Sequence, residues 1–374
     1  MSRILKLALT TSVFCIIALT LDAPLPLPAG QAPSYKVLEP ITEGNLTVFP
    51  VVTATTHDTS GFLTLDEGMR SGEVVITEAG RAGLIRPRHP RGGPDPGFVT
   101  PQLDSPEVNR LVLVNHSDRP LILLAGEIVT GGKQDRVVAK DRIVPPKSEP
   151  IDLSVFCVEP HRWTTIGDFA TKGAPIAQPS VRRKVMAERD QEAVWASVGA
   201  VQGRMVAGAP APAAAELKAT SSYATVMANG AVQEKLRDLT VPIERSYGKL
   251  ERQLRAEKAV GVVAAVNGRI VWADLFASPD LFNLYWPKLV QSYAAEAIST
   301  PSGLGRADIK SAQAFLDNWN GCSEHSESEE GVYRFSEMSG ERFTAFRLTS
   351  LLPHTGFDVH DAKMAENEVA ACAE

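Results

Sequence analysis

The stretch Gly261-Val-Val-Ala-Ala-Val266-Asn267-Gly268-Arg269-Ile-Val-Trp272-Ala-Asp274-Leu-Phe276 decides the fold class. Two apolar runs flank an Asn-Gly pair, the residues that best tolerate the left-handed conformations of a tight hairpin turn. The hairpin matters because of what surrounds it. Before it, Val232, Leu236, Leu239, Ile243, Tyr247, Leu250 and Leu254 recur at helical steps and predict one apolar stripe along a helix. Pro242 is expected to break or kink that helix. After it, Ser278-Pro279-Asp280 has the form of a helix start, with Phe282, Trp286, Leu289, Tyr293 and Ala297 on one face and a bend expected at Pro287. A further helix is expected over 307–319, and a strand pair at 333–335 and 343–348 around Ser339-Gly340. The Ala/Pro-rich 208–215 segment reads as a mobile connection, and the polar tail from Asp361 as frayed. Strands therefore resume after helices, which favours one α+β domain with helices packed on sheet over two independent domains.

Residues 35–163 are strand-rich. Short apolar or β-branched runs occupy 46–56, 73–77, 110–115, 121–130, 136–144 and 151–159, with turn chemistry at 115–120, at Gly131-Gly132 and at Pro145-Pro146. This half reads as antiparallel and sandwich-like. In it, Leu111 to Val114 is apolar on both faces and so belongs in the middle of a sheet. The expected organisation is an export segment over 1–32 and one domain over 33–374, with a strand-rich half at 35–163 and a helical half at 180–360 that contains the 261–276 hairpin.

The export reading rests on charge order. Arg3 and Lys6 precede the apolar run 7–21, and Gly30-Gln31-Ala32 supplies a small-x-small cleavage site, so the mature protein is expected to begin near Pro33 in the periplasm or as a secreted protein. An uncleaved anchor is the competing reading, and it is the case in which a membrane becomes a partner. A lipid anchor at Cys15 is disfavoured by bulky Phe14. Cys157, Cys322 and Cys372 then remain, too scattered for a disulfide framework, although a Cys322–Cys372 bridge suits an oxidising compartment. Of the 374 residues, 44% are apolar, which excludes general disorder. A net charge of −6 argues against nucleic acid as a partner. The Arg86, Arg88, His89, Arg91 loop among prolines reads as a solvated loop with some capacity for an anion.

The densest chemistry lies between Gly126 and Trp163. Glu127 interrupts an apolar strand, and a buried carboxylate is expensive unless paired, so a cation is expected from Arg136 or Arg162. Counting outward from Gly131-Gly132 places Glu127 and Arg136 opposite each other across a hairpin. Glu127, Gln134, Arg136, Glu159, Arg162 and Trp163 are the candidate ligand-binding residues; the alternative is a purely structural charge network pinning the hairpin. Catalytic residues and a cofactor are not specified. The 126–133 segment is one residue too long for a phosphate-binding loop, and Gln134 replaces the hydroxyl that would hold the metal. No Gly-x-Gly-x-x-Gly fingerprint follows a strand, and no Gly-x-Ser-x-Gly elbow is present. Extended chain separates Cys157 from His161 by roughly 13 Å, so Cys157 reads as a buried structural cysteine. The histidines show no metal-ligand spacing.

The motifs Asn115-x-Ser-x-x-Pro120, Gly126-Glu127, Gly131-Gly132-x-Gln134-Asp135-Arg136, Val144-Pro-Pro146 and Cys157-Val-Glu159-x-x-Arg162-Trp163 resemble the bacterial ARG and rhodanese-phosphatase-superfamily-associated protein domain. The segment from Gly261-Val-Val to Asp274-x-Phe276, with Leu284-x-Trp286-x-Lys-Leu289 after it, is similar to that family's second half. The resemblance implies a family without an established reaction, linked by gene association to ADP-ribosylglycohydrolases and NAD or ADP-ribose metabolism. The sequence thus leads to an exported binding or accessory domain with a small-molecule or protein ligand. A hydrolase of a nucleotide-like or ADP-ribosyl compound is the first alternative, with Glu127 or Glu159 as base and Arg136 or Arg162 on phosphate. A structural envelope protein is the second.

Overall fold

The computed structural model describes residues 35–79, 108–171, 173–254, 258–301, 303 and 305–366. The Asn267-Gly268 hairpin forms as its sequence predicts. Both turn residues are left-handed (φ 51° and 76°), and Val266 lies opposite Arg269. Its strands, Ala259–Val266 and Arg269–Phe276, sit inside a nine-stranded antiparallel sheet. On one side the sheet continues through Leu46–Thr53 to Tyr35–Val37, with Ile41–Glu43 also paired to Leu46–Thr53. On the other it runs through Asp358–Ala365, Phe343–Ser350 and Tyr333–Gly340 to Gly321–Glu329.

Alternation along these strands divides the apolar residues between two cores. Leu46, Val48, Val262, Ala264, Trp272 and Phe276 join a large core with helices Gly230–Gln253 and Pro279–Ile298. Phe49, Val51, Val263, Ala265, Ala273 and Leu275 face the opposite way, against helix Ile309–Asp317 through Ala312 and Leu316. Ser278 caps helix Pro279–Ile298 by accepting the Leu281 N–H, as its sequence predicts.

The strand-rich half departs from a self-contained sandwich. Its first strands belong to the large sheet. The remainder forms a five-stranded sheet, ordered Val74–Glu78, Arg110–Asn115, Ile151–Cys157, Arg136–Val138 and Ile128–Val129, and a three-stranded one of Arg142–Val144, Leu121–Leu123 and Leu63–Thr64. Leu63–Thr64 pairs parallel with Leu121–Leu123, the exception to the antiparallel expectation. Leu111, Leu113, Leu121, Leu123, Val138 and Val155 share one core; Arg110–Asn115 is an inner, buried strand paired on both sides, although the middle place belongs to Ile151–Cys157. The runs 121–130 and 136–144 are each two strands, not one. The first breaks at a turn in which the Glu127 N–H donates to the Leu124 carbonyl (3.1 Å).

Three further features follow tertiary packing over local signals. Gly230–Gln253 and Pro279–Ile298 each continue through their proline, Pro242 and Pro287, as one helix with one face buried, so Pro242 does not break its helix. The segment expected to be a mobile connection contains helix Ala211–Lys218, anchored by buried Leu217. The tail expected to fray is instead strand Asp358–Ala365, hydrogen-bonded on both sides and almost wholly buried. Its polar residues are accommodated by partners. Arg347 pairs with Asp361 (2.8 Å), and Lys363 donates to the carbonyls of Phe315 (2.6 Å) and Asn318 beneath the Phe343 ring. Cys322 is disulfide-bonded, and Cys157 is free and buried. The export segment, the 86–91 basic loop and Cys372 lie outside the described residues. Among the described residues no helix is long and apolar enough to cross a membrane.

Candidate functional site

The Gly131-Gly132 segment fixes the geometry of the site. Both glycines are left-handed (φ 119° and 50°), and a Cβ would lie 2.4 Å from the Asp168 carbonyl oxygen at the first and 2.2 Å from the Phe169 ring at the second, so no side chain fits. Gly132 N–H donates to the Gly167 carbonyl and Ile166 N–H to the Gly132 carbonyl, which clamps the turn onto the chain that follows Trp163. The Gly131 N–H donates to Asp135 Oδ1 (3.0 Å), and the Lys133 N–H to Glu78 Oε1 (2.6 Å).

Asp135, buried, is held from several sides. Its other oxygen accepts from Ser222 Oγ (2.6 Å), the residue that caps helix Tyr223–Ala228, and its N–H donates to Glu159 Oε2 (2.9 Å). Burial pushes the Asp135 carboxyl up, against the Ser222 hydroxyl and the Gly131 amide. Glu159 Oε2 also takes Arg162, and the Glu159 carbonyl accepts Gln134 Nε2 (3.1 Å). Arg162 is fully engaged at its tip: it donates to the carbonyls of Gly131, Gly132 and Thr164 as well as to Glu159 and Asp135. Glu159 and Arg162 thus neutralise each other and hold the loop.

Arg136 is different. It is 0% exposed, its Nε donates to the Val108 carbonyl (2.7 Å), and neither Nη1 nor Nη2 has a hydrogen-bond partner. Burial pulls its pKa below the ordinary arginine value, with Cys157 and Glu78 the largest opposing influences. Glu78 Oε2 and Gln134 Oε1 are also buried and without partners. Trp163, 44% exposed, lies over the Arg136 guanidinium (5.8 Å to the ring centroid) and beneath Lys133 Nζ (4.8 Å). Unsatisfied buried donors and acceptors next to an exposed aromatic are what a site for a ligand requires.

Five of the six sequence candidates, Gln134, Arg136, Glu159, Arg162 and Trp163, therefore come together, and Glu78 joins them unpredicted. Glu127 does not, which overturns the expected Glu127–Arg136 pair. Ile128 faces Val137 and Val129 faces Arg136, so the strands are joined by a longer loop and the register slips by two residues from a count centred on the glycines. Glu127 is buried elsewhere, with Oε2 accepting the Leu124 N–H (2.8 Å) and Oε1 without a partner. Among the described residues no cation pairs with it there: burial pushes the Glu127 carboxyl up to about 7, only partly opposed by Lys288. Cys157 is likewise pushed up by burial, as its structural reading requires.

A second polar cluster escaped the sequence reading. Asp274 accepts both terminal nitrogens of Arg182 (2.8 and 2.9 Å), Trp272 Nε1 (3.1 Å) and the Tyr293 hydroxyl. His360 bridges Asp274 (3.2 Å) and Asp141 (2.6 Å), and Asp141 accepts the Ala125 N–H (2.7 Å). All are essentially without solvent contact. Burial alone would lower the His360 pKa, but the two carboxylates push it up to about 9. Burial would raise Asp274, and Arg182 holds it well below the carboxylate range. Two cations thus balance two anions, and the cluster ties strand Asp358–Ala365 to the 139–141 turn and to helix Pro179–Arg183. Asp274 is a lone carboxylate in an apolar run of sequence, as Glu127 is, the signal that identifies it; His360 and Asp141 carried none. Among the described residues no group of His, Cys, Asp and Glu is arranged to hold a metal ion.

The family model for the ARG and Rhodanese-Phosphatase-superfamily-associated Protein domain matches residues 34–360. No curated protein and no solved structure matches the chain.

Proposed function

The chain belongs to the ARG and rhodanese-phosphatase-superfamily-associated protein domain family, and from the geometry of its Gly131–Trp163 cluster we propose that it binds a nucleotide-class small molecule through the edge of a planar ring or carboxamide. One observation carries the reading. Arg136 is fully buried with both terminal nitrogens unpaired, while Glu78 Oε2 and Gln134 Oε1 nearby lack donors. An uncompensated buried guanidinium costs several kcal/mol, and a ligand that brings acceptors to it removes that cost. Because Arg136 and Glu78 do not pair with each other, the group between them must accept from one and donate to the other. A nucleobase edge or a nicotinamide-type carboxamide does both; a fully ionised phosphate, which has no donor, does not. Trp163 offers a face for stacking, and Lys133 beside it a charge for an attached phosphate.

The link to NAD and ADP-ribose metabolism implied by the family resemblance agrees with this ligand class. Hydrolysis is less well supported, since Glu159 and Arg162 are engaged with each other and Glu127 lies apart from Arg136. The basic start and apolar run of residues 3–21 support export, so the ligand is met in the periplasm or outside the cell. The test is thermal unfolding of the mature chain with adenosine, nicotinamide, ADP-ribose, ribose and inorganic phosphate, because a ligand of the native state raises the midpoint. Adenosine or nicotinamide should raise it, and ribose should not. An equal response to inorganic phosphate alone, or no response to any compound, would reject the proposal.

A further inference from the structure

A cavity of about 650 Å³ that shares no lining residue with the Arg136 site lies between the Asn267-Gly268 hairpin, the start of helix Pro179–Arg183 and the end of helix Pro279–Ile298. Its volume falls in the range of small-molecule sites, roughly 300 to 1,000 Å³. Val266, Ile270 and Val271 line it together with Pro179 and Trp272. Trp272 is immobilised: its Nε1 donates to Asp274 (3.1 Å) and the Arg182 guanidinium stacks 4.3 Å from its ring. The hairpin edge is fixed as well. Asn267 Nδ2 donates to the Pro301 carbonyl (2.8 Å) and its Oδ1 accepts the Gly303 N–H (2.7 Å), so the turn is latched to the chain that closes the cavity.

The charged groups of the lining are unequally engaged. Glu296 Oε2 already accepts from the Ser180 N–H and Gln178 Nε2 (both 2.9 Å). Arg183 is held by Glu366 and the Ala365 carbonyl. Arg269 is exposed, and among the described residues it has no ion pair. An apolar, pre-formed cavity with an uncommitted guanidinium at its mouth suits an apolar body carrying one anionic head.

We infer that this cavity is a second ligand site, for a carboxylate-bearing amphiphile whose apolar part lies along Val266, Ile270 and Val271 and whose carboxylate meets Arg269. It is independent of the Arg136 site, so the two stand or fall separately. The experiment is calorimetric titration of the mature chain with decanoate and with decyltrimethylammonium, which share a tail and differ in the sign of the head. Decanoate should bind with one equivalent and the ammonium should not. Arg269→Glu, an exposed change beside the turn, should weaken decanoate about tenfold, the loss of one charge-assisted hydrogen bond. Thr300→Trp, which fills the cavity from its helix side, should abolish binding while near-ultraviolet circular dichroism reports an intact fold. Absence of decanoate binding, equal binding of the two heads, or unchanged binding in Arg269→Glu or in a folded Thr300→Trp variant would each overturn the assignment.

Discussion

Glu127→Gln should leave the protein unchanged in acid and stabilise it in mild alkali. The carboxyl is fully buried, one oxygen takes the Leu124 N–H, the other has no partner, and burial raises its pKa from the ordinary 4.5 to about 7. The sign follows from linkage: an acid with a raised folded pKa binds its proton more tightly in the native state. Its stability contribution is therefore fully present below about pH 4.5 and is lost as the pH rises through about 7. At about 1.4 kcal/mol per pH unit, the loss is about 3 kcal/mol. Glutamine copies the neutral acid in shape and keeps an acceptor for Leu124, but it cannot ionise. Urea unfolding of both proteins, followed by tryptophan fluorescence at a series of pH values, measures the difference directly. The two curves should coincide in acid and separate by about 3 kcal/mol by about pH 8, with the variant the more stable. A difference that does not change with pH, or a variant less stable in alkali, would refute the claim that burial raises the Glu127 pKa.

Within the second cluster, Arg182→Met or Asp274→Asn should each cost about 3 to 5 kcal/mol because each strands a buried charge, and the double variant should cost less than their sum in the same unfolding assay. Strict additivity would show that the two side chains are not coupled. Cys157→Ala should retain ligand binding by thermal shift, and native Cys157 should resist iodoacetamide until the chain unfolds; fast native alkylation would contradict its burial. Mass spectrometry of protein from extracted cells should find an N-terminus near Pro33, and an intact Met1 in the membrane fraction would favour the anchor instead.

The hairpin, the long helices and the clustering of Gln134, Arg136, Glu159, Arg162 and Trp163 were all legible because each rests on local chemistry: a turn pair, a periodic stripe, or polar residues crowded between short strands. What failed depended on partners distant in sequence. The 358–365 strand looks polar alone, yet Arg347, Asp141, Asp274 and the carbonyls of Phe315 and Asn318 at the end of helix Ile309–Asp317 satisfy its charges. The Glu127–Arg136 register is not legible in sequence because the glycine pair looks like the whole turn, whereas contacts with Gly167 and Ala170 hold a longer loop open. Glu78 could not be assigned, since nothing near it in sequence shows that it accepts the Lys133 N–H.

The central claim is that Arg136 is kept unpaired for a ligand, and the Arg136→Met variant tests it in one differential scanning experiment with and without adenosine or nicotinamide. Methionine fills much of the same space without a buried charge, so the account predicts a melting temperature equal to or above that of the parent and no response to ligand. A variant that melts well below the parent yet still responds to ligand would show that Arg136 is a structural residue, and the binding proposal would fall.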